Sequence, residues 1–257
     1  MNGDPVRQGF LIPVYDHGKA AVSVVQKLAR YGLPIVLVDD GSGAETKGYL
    51  TKILADTPSA ILVTLEKNSG KGAAVMAGIG RARAEGLTHV LQIDADGQHD
   101  TGRAGFFLGE SAAHPEALVC GRPEYDDSVP LIRKNGRKVA NTWAKIVTLS
   151  RDLPDVLCGF RVYPVEPSWQ ICRHAFIDRR MGFDTEILVR LYWKRIPVRF
   201  YPVRVSYPQD GISHFRPVRD NIRISLVFTR LCIGMIIRLP FLLASRLRGK
   251  RGGETAE

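Results

Sequence analysis

The run Ile93-Asp94-Ala95-Asp96-Gly97-Gln98-His99 places two carboxylates, a carboxamide and an imidazole directly after the apolar segment His89 to Ile93. In extended backbone the side chains of Asp94 and Asp96 leave the same side of the chain. Hard cations such as Mg²⁺ or Mn²⁺ take oxygen ligands, commonly one or two carboxylates together with substrate phosphates. A strand that ends in Asp-x-Asp is therefore suited to hold a metal-bound diphosphate. The same residue types also build ordinary turns, so the run gains meaning only from its neighbours.

Two further loops carry polar groups. Asn68-Ser69-Gly70-Lys71-Gly72 opens a helical segment. Its glycines permit close backbone approach, a helix N-terminus favours anions, and Lys71 adds charge. It is not a Walker A loop, because the first Gly and the Ser or Thr after Lys are missing. The plain alternative is a flexible helix start. Asp39 and Asp40 close another strand: one carboxylate can accept hydrogen bonds from a base or ribose while the other caps backbone amides, or both can cap the loop.

These loops need a scaffold, and the pattern supplies one. Strands are predicted at Gly9 to Tyr15, Ile35 to Val38, Ala60 to Leu65, His89 to Ile93 and Leu118 to Cys120. Helices are predicted at Lys19 to Tyr31, Thr46 to Ala55, Lys71 to Glu85 and Gly102 to Ala113. Such alternation implies right-handed βαβ units, hence an α/β fold with a mainly parallel, Rossmann-like sheet flanked by helices. Strands apolar on both faces agree with that. Ligands of such sheets gather beyond the carboxyl ends of the strands, where Asp16-His17, Asp39 to Ser42 and Asp94 to His99 all lie. From Gly121 to about Trp169 the pattern is less regular, with helical spacing at Lys138 to Leu149 and a strand expected within Arg195 to Val205.

The chain has 257 residues, enough for one large domain, and a formal charge of +10 that calls for an anionic partner. Cys120, Cys158, Cys172 and Cys232 are dispersed, which argues against zinc and against a disulfide framework. A reduced cytosolic compartment fits, and no secretory leader is read at the N-terminus.

FLIPVYDHG, PIVLVDDGS, NSGKGAAVMAG and HVLQIDADGQHD occur in the order and spacing of a family 2 glycosyltransferase, and the chain resembles that family over roughly residues 8 to 216. The likeness is nearest the polyprenyl-phosphate sugar transferases of the dolichol-phosphate mannose synthase type. Asp155 to Arg161 resembles that group's D-x-x-x-G-F-R element, and Gly182 to Glu186 its G-F-x-x-E segment. Gly211 to Phe215 stands where the group has G-x-S-K, with His214 in place of Lys. A narrower likeness to glycosyltransferases of aryl-polyene lipid pathways is also visible.

The resemblance implies a GT-A fold and a nucleotide-sugar donor with a divalent cation, Mg²⁺ or Mn²⁺. Pro13 and Tyr15 would border the nucleobase, Asp39 would read base or ribose, and Lys71 would lie near the nucleotide. Asp94 would face ribose or sugar, and Asp96 would bind metal with Gln98 as second ligand; Asp94 completes the candidate metal set. Ser213 and His214 would meet the donor. Displacement at the anomeric carbon, with inversion, is the implied reaction. Arg161 and Arg204 are candidate phosphate contacts. A lipid phosphate acceptor is already an anion and needs no strong base. A hydroxyl acceptor needs one, and Asp155 is the first candidate, Glu186 the second.

Beyond residue 215 a helix is expected. At roughly 100° per residue, Arg216, Arg219, Arg223, Arg230 and Arg238 share an arc of about 100° within an otherwise apolar surface. Pro240 should end or kink it. A bilayer span needs about 20 predominantly apolar residues, and arginines interrupt this one. Residues 216–248 are therefore expected to lie at an anionic membrane surface, peripheral on the inner face of the cytoplasmic membrane, with 249–257 a disordered tail. The alternative is a helix packed on the domain of residues 1–215. Few stacking aromatics accompany the arginines, so nucleic acid is not expected as a partner. A nucleotidyltransferase on a similar sheet and a non-catalytic nucleotide-sugar-binding protein are the other functional readings.

Overall fold

The computed structural model describes residues 5–125, 131–205 and 217–251. The chain opens with β1 (Gln8–Val14), α1 (Gly18–Ala29), β2 (Ile35–Asp39), α2 (Ala44–Asp56), β3 (Ala60–Thr64), α3 (Lys71–Ala84), β4 (His89–Gln92) and α4 (Ala104–Ala113). It continues through β5 (Leu118–Tyr125), α5 (Leu131–Thr148), β6 (Arg161–Pro164), α6 (Val165–His174), α7 (Phe183–Trp193), β7 (Val198–Val205) and α8 (Pro217–Arg251). Strand order is β3-β2-β1-β4-β6-β5-β7. β1 pairs in parallel with β2 and β4, β2 with β3, and β5 with β7, while β6 runs against both β4 and β5.

Alternation along each strand divides the apolar side chains between two cores. Phe10, Ile12 and Val14 of β1 join Val24, Leu28 and Phe107 on one face, whereas Leu11 joins Val75, Ile79 and Phe183 on the other. All are essentially removed from solvent. Each large apolar side chain buried in this way contributes about 1.5–3 kcal/mol before entropy is charged against it. The parallel pairing aligns the carboxyl ends of β1, β2, β3 and β4 at one edge, so their following loops meet there. β6 enters that edge from the opposite direction, with Arg161 opposite Gln92. The Asp155 to Gly159 segment is thereby delivered beside Asp94.

Three elements escaped the pattern reading. β6 is only four residues long and is bracketed by Gly159 and Pro164. α6 and α7 follow without the turn signals that mark the first half. α5 also starts at Leu131, a full two turns before the expected Lys138.

α8 differs from expectation at its far end, because the helix runs through Pro240 to Arg251 and so includes residues 249–251 of the expected tail. Pro240 and Ile236, the residue whose carbonyl loses its helical partner, both lie on the exposed side of the helix. Water can satisfy that carbonyl, so the helix is not forced to stop. Val227, Phe228 and Leu231 of α8 are buried against the domain. Among the described residues, no helix is long and apolar enough to cross a membrane.

Candidate active site

Asp40 explains why the glycine-rich loop lies where it does. Its Oδ1 accepts from the Ser69 amide at 2.7 Å and its Oδ2 from the Gly70 amide at 2.8 Å. The N-terminus of α3 thus spends its amides on the protein's own carboxylate. Gly70 has φ +103°, and a Cβ there would sit 2.4 Å from Arg180 Cγ, so both conformation and space demand glycine. Burial pushes the Asp40 carboxyl above its ordinary range, against the pull of those two amides. Asp39 caps the Ser42 amide at 2.8 Å through Oδ1, the one hydrogen bond of its side chain among the described residues. Asp16, at φ +52°, ties the first loop to the second by accepting from Gly43 N at 2.9 Å. Pro13 and Tyr15 are half-buried at the end of β1 beside these loops.

The next residue of the glycine-rich loop reaches into the cleft. Lys71 Nζ lies 2.9 Å from Asp94 Oδ2 and 3.0 Å from Asp184 Oδ2. Burial alone would lower the lysine pKa, but the two carboxylates overcome it and hold the ammonium above its ordinary range. Asp94 Oδ1 accepts from Gln92 Nε2 at 3.3 Å. Burial raises the Asp94 carboxyl, and the charges of Lys71 and His99 outweigh burial, so its net shift is downward. A Cβ on Gly159 would lie 2.7 Å from Lys71 Nζ and 2.8 Å from Gln92 Nε2; only glycine lets this backbone close over the pair.

Asp96 is placed differently. Its Oδ1 accepts from the Gln98 amide at 3.0 Å, and no cationic side chain among the described residues pairs with it. Burial and the charge of Asp94 push its carboxyl up. His99 packs on Phe160, with ring centres 5.5 Å apart, and burial holds it below the ordinary imidazole range against the pull of Asp94 and Asp96. Three buried atoms around this cluster, Gln92 Oε1, His99 Nδ1 and Asp184 Oδ1, have no hydrogen-bond partner among the described residues. Native structures rarely leave such groups unsatisfied unless a ligand, ion or water serves them.

Asp94 meets Lys71 and Gln92 with its two oxygens, so a cation there would share those oxygens with them. Asp96 retains a carboxylate oxygen, and Gln98 follows it in the same turn. Among the described residues, no cluster of three or more His, Cys, Asp or Glu could hold a metal alone. One carboxylate plus phosphate oxygens is the coordination Mg²⁺ commonly accepts.

The candidates of the second half are occupied elsewhere. Asp155 is buried; its Oδ1 caps the amides of Leu157 at 3.1 Å and Cys158 at 2.8 Å, and its Oδ2 pairs with Arg137. Glu186 is fully buried between Arg190, 2.7 Å away, and Arg230 of α8, whose Nε lies 2.9 Å from it. Arg161 is fully buried as well, donating to the carbonyls of Asp184 and, at 2.9 Å, Val156. It therefore braces backbone and does not face phosphate, which corrects the expected contact. Arg204 is exposed on β7. Ser213 and His214 lie outside the described residues. Asp184 had no role in the sequence reading. Its signal was indirect: a lysine beside a buried aspartate run calls for a second counter-charge, and the Gly182 to Glu186 segment holds one.

A mainly parallel α/β sheet with acidic loops over its carboxyl edge is the arrangement expected of the nucleotide-diphospho-sugar type of fold. The Glycosyl transferase family 2 model matches residues 10–172, and the chain belongs to that family. The chain is 26% identical over 216 residues to a dolichyl-phosphate beta-glucosyltransferase from Dictyostelium discoideum, covering 80% of this chain and 64% of that protein. It is 24% identical over 210 residues to the polyprenol monophosphomannose synthase of Mycolicibacterium smegmatis, covering 79% and 78%. This chain thus spans a little under two thirds of the first relative's length. Among solved structures, glucosyl-3-phosphoglycerate synthase from Mycobacterium tuberculosis, in complex with Mn²⁺, UDP-glucose and phosphoglyceric acid, superposes with a TM-score of 0.64 at 14% identity, covering 88% of this chain and 80% of that one. S. aureus TarS with UDP-GlcNAc superposes with a TM-score of 0.61 at 14% identity, covering 88% and 66%. At such identity the likeness is one of fold, and the fold is the expected GT-A fold. These relatives lend no support to the narrower aryl-polyene likeness.

Proposed function

We propose that this protein transfers a sugar from a nucleotide-sugar donor to a polyprenyl phosphate or similar lipid phosphate at a membrane surface, with inversion. The observation that carries the reading is the unequal pair Asp94 and Asp96: one neutralised by Lys71, the other open. Asp96, with Gln98, would hold a divalent cation that neutralises charge developing on the leaving diphosphate. Lys71, anchored by Asp184, adds a fixed positive charge at that end of the cleft. Asp39 keeps one oxygen for base or ribose beside Pro13 and Tyr15, while Asp40 fixes the loop.

How the two candidate bases are held supports one class of acceptor. Asp155 and Glu186, the two candidate bases, are both saturated by guanidinium groups. An acceptor that arrives as an anion needs neither, which favours the phosphate branch. The names of the relatives, acting on dolichyl or polyprenol phosphates, support the same class.

Membrane association has its own support. α8 buries one stripe and exposes another: Leu226, Ile233, Ile236 and Ile237 are each more than half exposed. α5 exposes Val139, Trp143 and Ile146 at helical spacing, flanked by Lys138 and Lys145. Trp143 approaches Phe228 of α8, ring centres 6.1 Å apart, so the two helices are neighbours there. An apolar surface with tryptophan and cations at its margin fits an anionic bilayer interface. The same α5 carries Arg137, bound to Asp155, so the Asp155 to Gly159 loop is tied to the helix that carries that surface, which supports an acceptor arriving from there.

The test is to incubate the protein with Mn²⁺ or Mg²⁺, a panel of nucleotide sugars and lipid extract, measuring nucleoside diphosphate release. Turnover that needs both cation and lipid phosphate is expected. Cation-dependent donor binding without turnover on any acceptor would instead favour a non-catalytic nucleotide-sugar-binding protein.

A further inference from the structure

A cavity of about 290 Å³ lies between α6, α7 and α8, lined by Gln170, His174, Arg190, Trp193, Lys194 and Arg238 among others. It is not part of the cleft. At about 1.5 Å per residue, Lys194 lies roughly 15 Å along α7 from Asp184. No carboxylate lines it. Arg190 is committed to Glu186 and to the Phe176 carbonyl. Arg238 stacks on Trp193, 4.9 Å from guanidinium carbon to ring centre, and gives one N–H to the Gly234 carbonyl. The side chains of His174 and Lys194 have no hydrogen-bond or ion-pair partner among the described residues.

Helix C-termini attract cations, and α6 and α7 both end here. That accounts for His174 and Lys194 separately. It does not account for Arg238, which comes from the interior of a third helix and converges on the same hollow over an aromatic platform. Nor does it account for the exposed apolar side chains next in sequence to the lining residues, Phe176 after Ala175 and Ile237 before Arg238, with Ile233 one turn earlier on α8. On α8, at roughly 100° per residue, Arg223 and Arg230 occupy the arc between the docked stripe and the exposed apolar stripe, and Arg238 falls on the docked side between Val227 and Leu231. With the apolar stripe in a membrane interface, the cavity would sit at headgroup depth.

We propose that this cavity binds the phosphate of an anionic amphiphile's headgroup, against Lys194, Arg238 and His174, with the apolar part along Ile233 and Ile237. The proposal rests in part on the membrane reading above, and its test separates the two. Binding of dihexanoyl phosphatidic acid, below its micelle concentration, is measured by calorimetry on the full chain, and flotation is measured on phosphatidylcholine vesicles with and without phosphatidylglycerol. A cation at such a surface changes affinity roughly fivefold. Lys194→Gln should weaken binding of the short-chain lipid by about that factor, and Lys194→Gln with Arg238→Gln by roughly twenty-five-fold. Lys27→Gln with Arg30→Gln, an equal charge loss at exposed positions at the C-terminal end of α1, should change nothing.

Inorganic phosphate competing at equal affinity would assign the site to free phosphate, within the same chemistry. Failure to compete would assign it to the lipid. Lys194-dependent binding of the short-chain lipid without flotation would support the cavity and overturn the membrane reading. Equal affinity in wild type and Lys194→Gln, or an equal loss in the α1 control, would overturn the cavity, because general charge would then explain the binding. Lys194 is exposed, so the single variant is testable even if the double variant does not fold.

Discussion

The two halves of the chain treat their carboxylates in opposite ways. Around β1 to β4, Asp39, Asp94 and Asp96 are held by backbone amides, a carboxamide and one lysine, and Asp39 and Asp96 keep an oxygen in hand. Beyond β5, Asp155 and Glu186 meet arginines from α5, α7 and α8 and keep nothing. Asp39 and Asp96 can offer an oxygen to a ligand, whereas Asp155 and Glu186 hold elements together; Asp40 and Asp184 show that neither half is uniform. A carboxylate inside a familiar motif is therefore no guide to reactivity; what its second oxygen does decides the matter.

The strongest way to break this contrast is Asp96→Ala. A cation's Lewis-acid contribution is worth several kcal/mol, so transfer should fall by about a thousandfold at unchanged melting temperature. A fall in melting temperature without loss of turnover would place Asp96 with the structural carboxylates instead. Glu186→Ala should do the reverse. Removing one partner of a buried ion pair costs about 3–5 kcal/mol, here by stranding Arg190 and Arg230 and loosening α8. Residual activity per folded molecule should be retained, which denaturant titration combined with kinetics would show.

Gly159→Ala sharpens the contrast at its border. The added methyl would meet Lys71 Nζ at 2.7 Å, and overpacking of this kind costs about 1–3 kcal/mol. Donor affinity should weaken along with stability, whereas Gly109→Ala, where a Cβ meets nothing on an exposed face of α4, should leave donor affinity unchanged and raise stability by about 0.5–1 kcal/mol. The smallest effect concerns His89, far from the loops at the start of β4. Burial, opposed by the Pro115 carbonyl, holds its imidazole below the ordinary range. The unfolded chain takes up a proton as pH falls through about 6.5 and the folded chain does not, so stability should decline as pH drops below that value. His89→Gln should flatten that decline in a melting series between neutral and mildly acidic pH.

Much of the first half was legible because its physics is local. Strands apolar on both faces, helices at regular spacing and polar strand ends announce a parallel sheet and the edge where ligands gather. That one carboxylate of the Asp39-Asp40 pair caps backbone amides follows from loop chemistry, whereas the separate roles of Asp94 and Asp96 came from the family resemblance. The second half depends on contacts that sequence spacing hides. Arg137 reaches Asp155 across 18 positions and Arg230 reaches Glu186 across 44. β6 enters antiparallel with four residues and no periodicity of its own. Arg161 read as a phosphate ligand because arginine usually serves that purpose, yet its burial commits it to two carbonyls. Pro240 read as a stop because the cost of a missing N–H was counted without the water that can satisfy an exposed carbonyl.

The claim that matters most is that Asp96 is the cation-dependent end of the donor site while Asp94 belongs to Lys71. Titration of a nucleoside diphosphate into wild type and Asp96→Asn, each with and without Mn²⁺, tests it most directly. Binding that requires Mn²⁺ in the wild type and loses that requirement, with most of its affinity, in the variant is the predicted result. Equal Mn²⁺-dependent affinity in both proteins would contradict it.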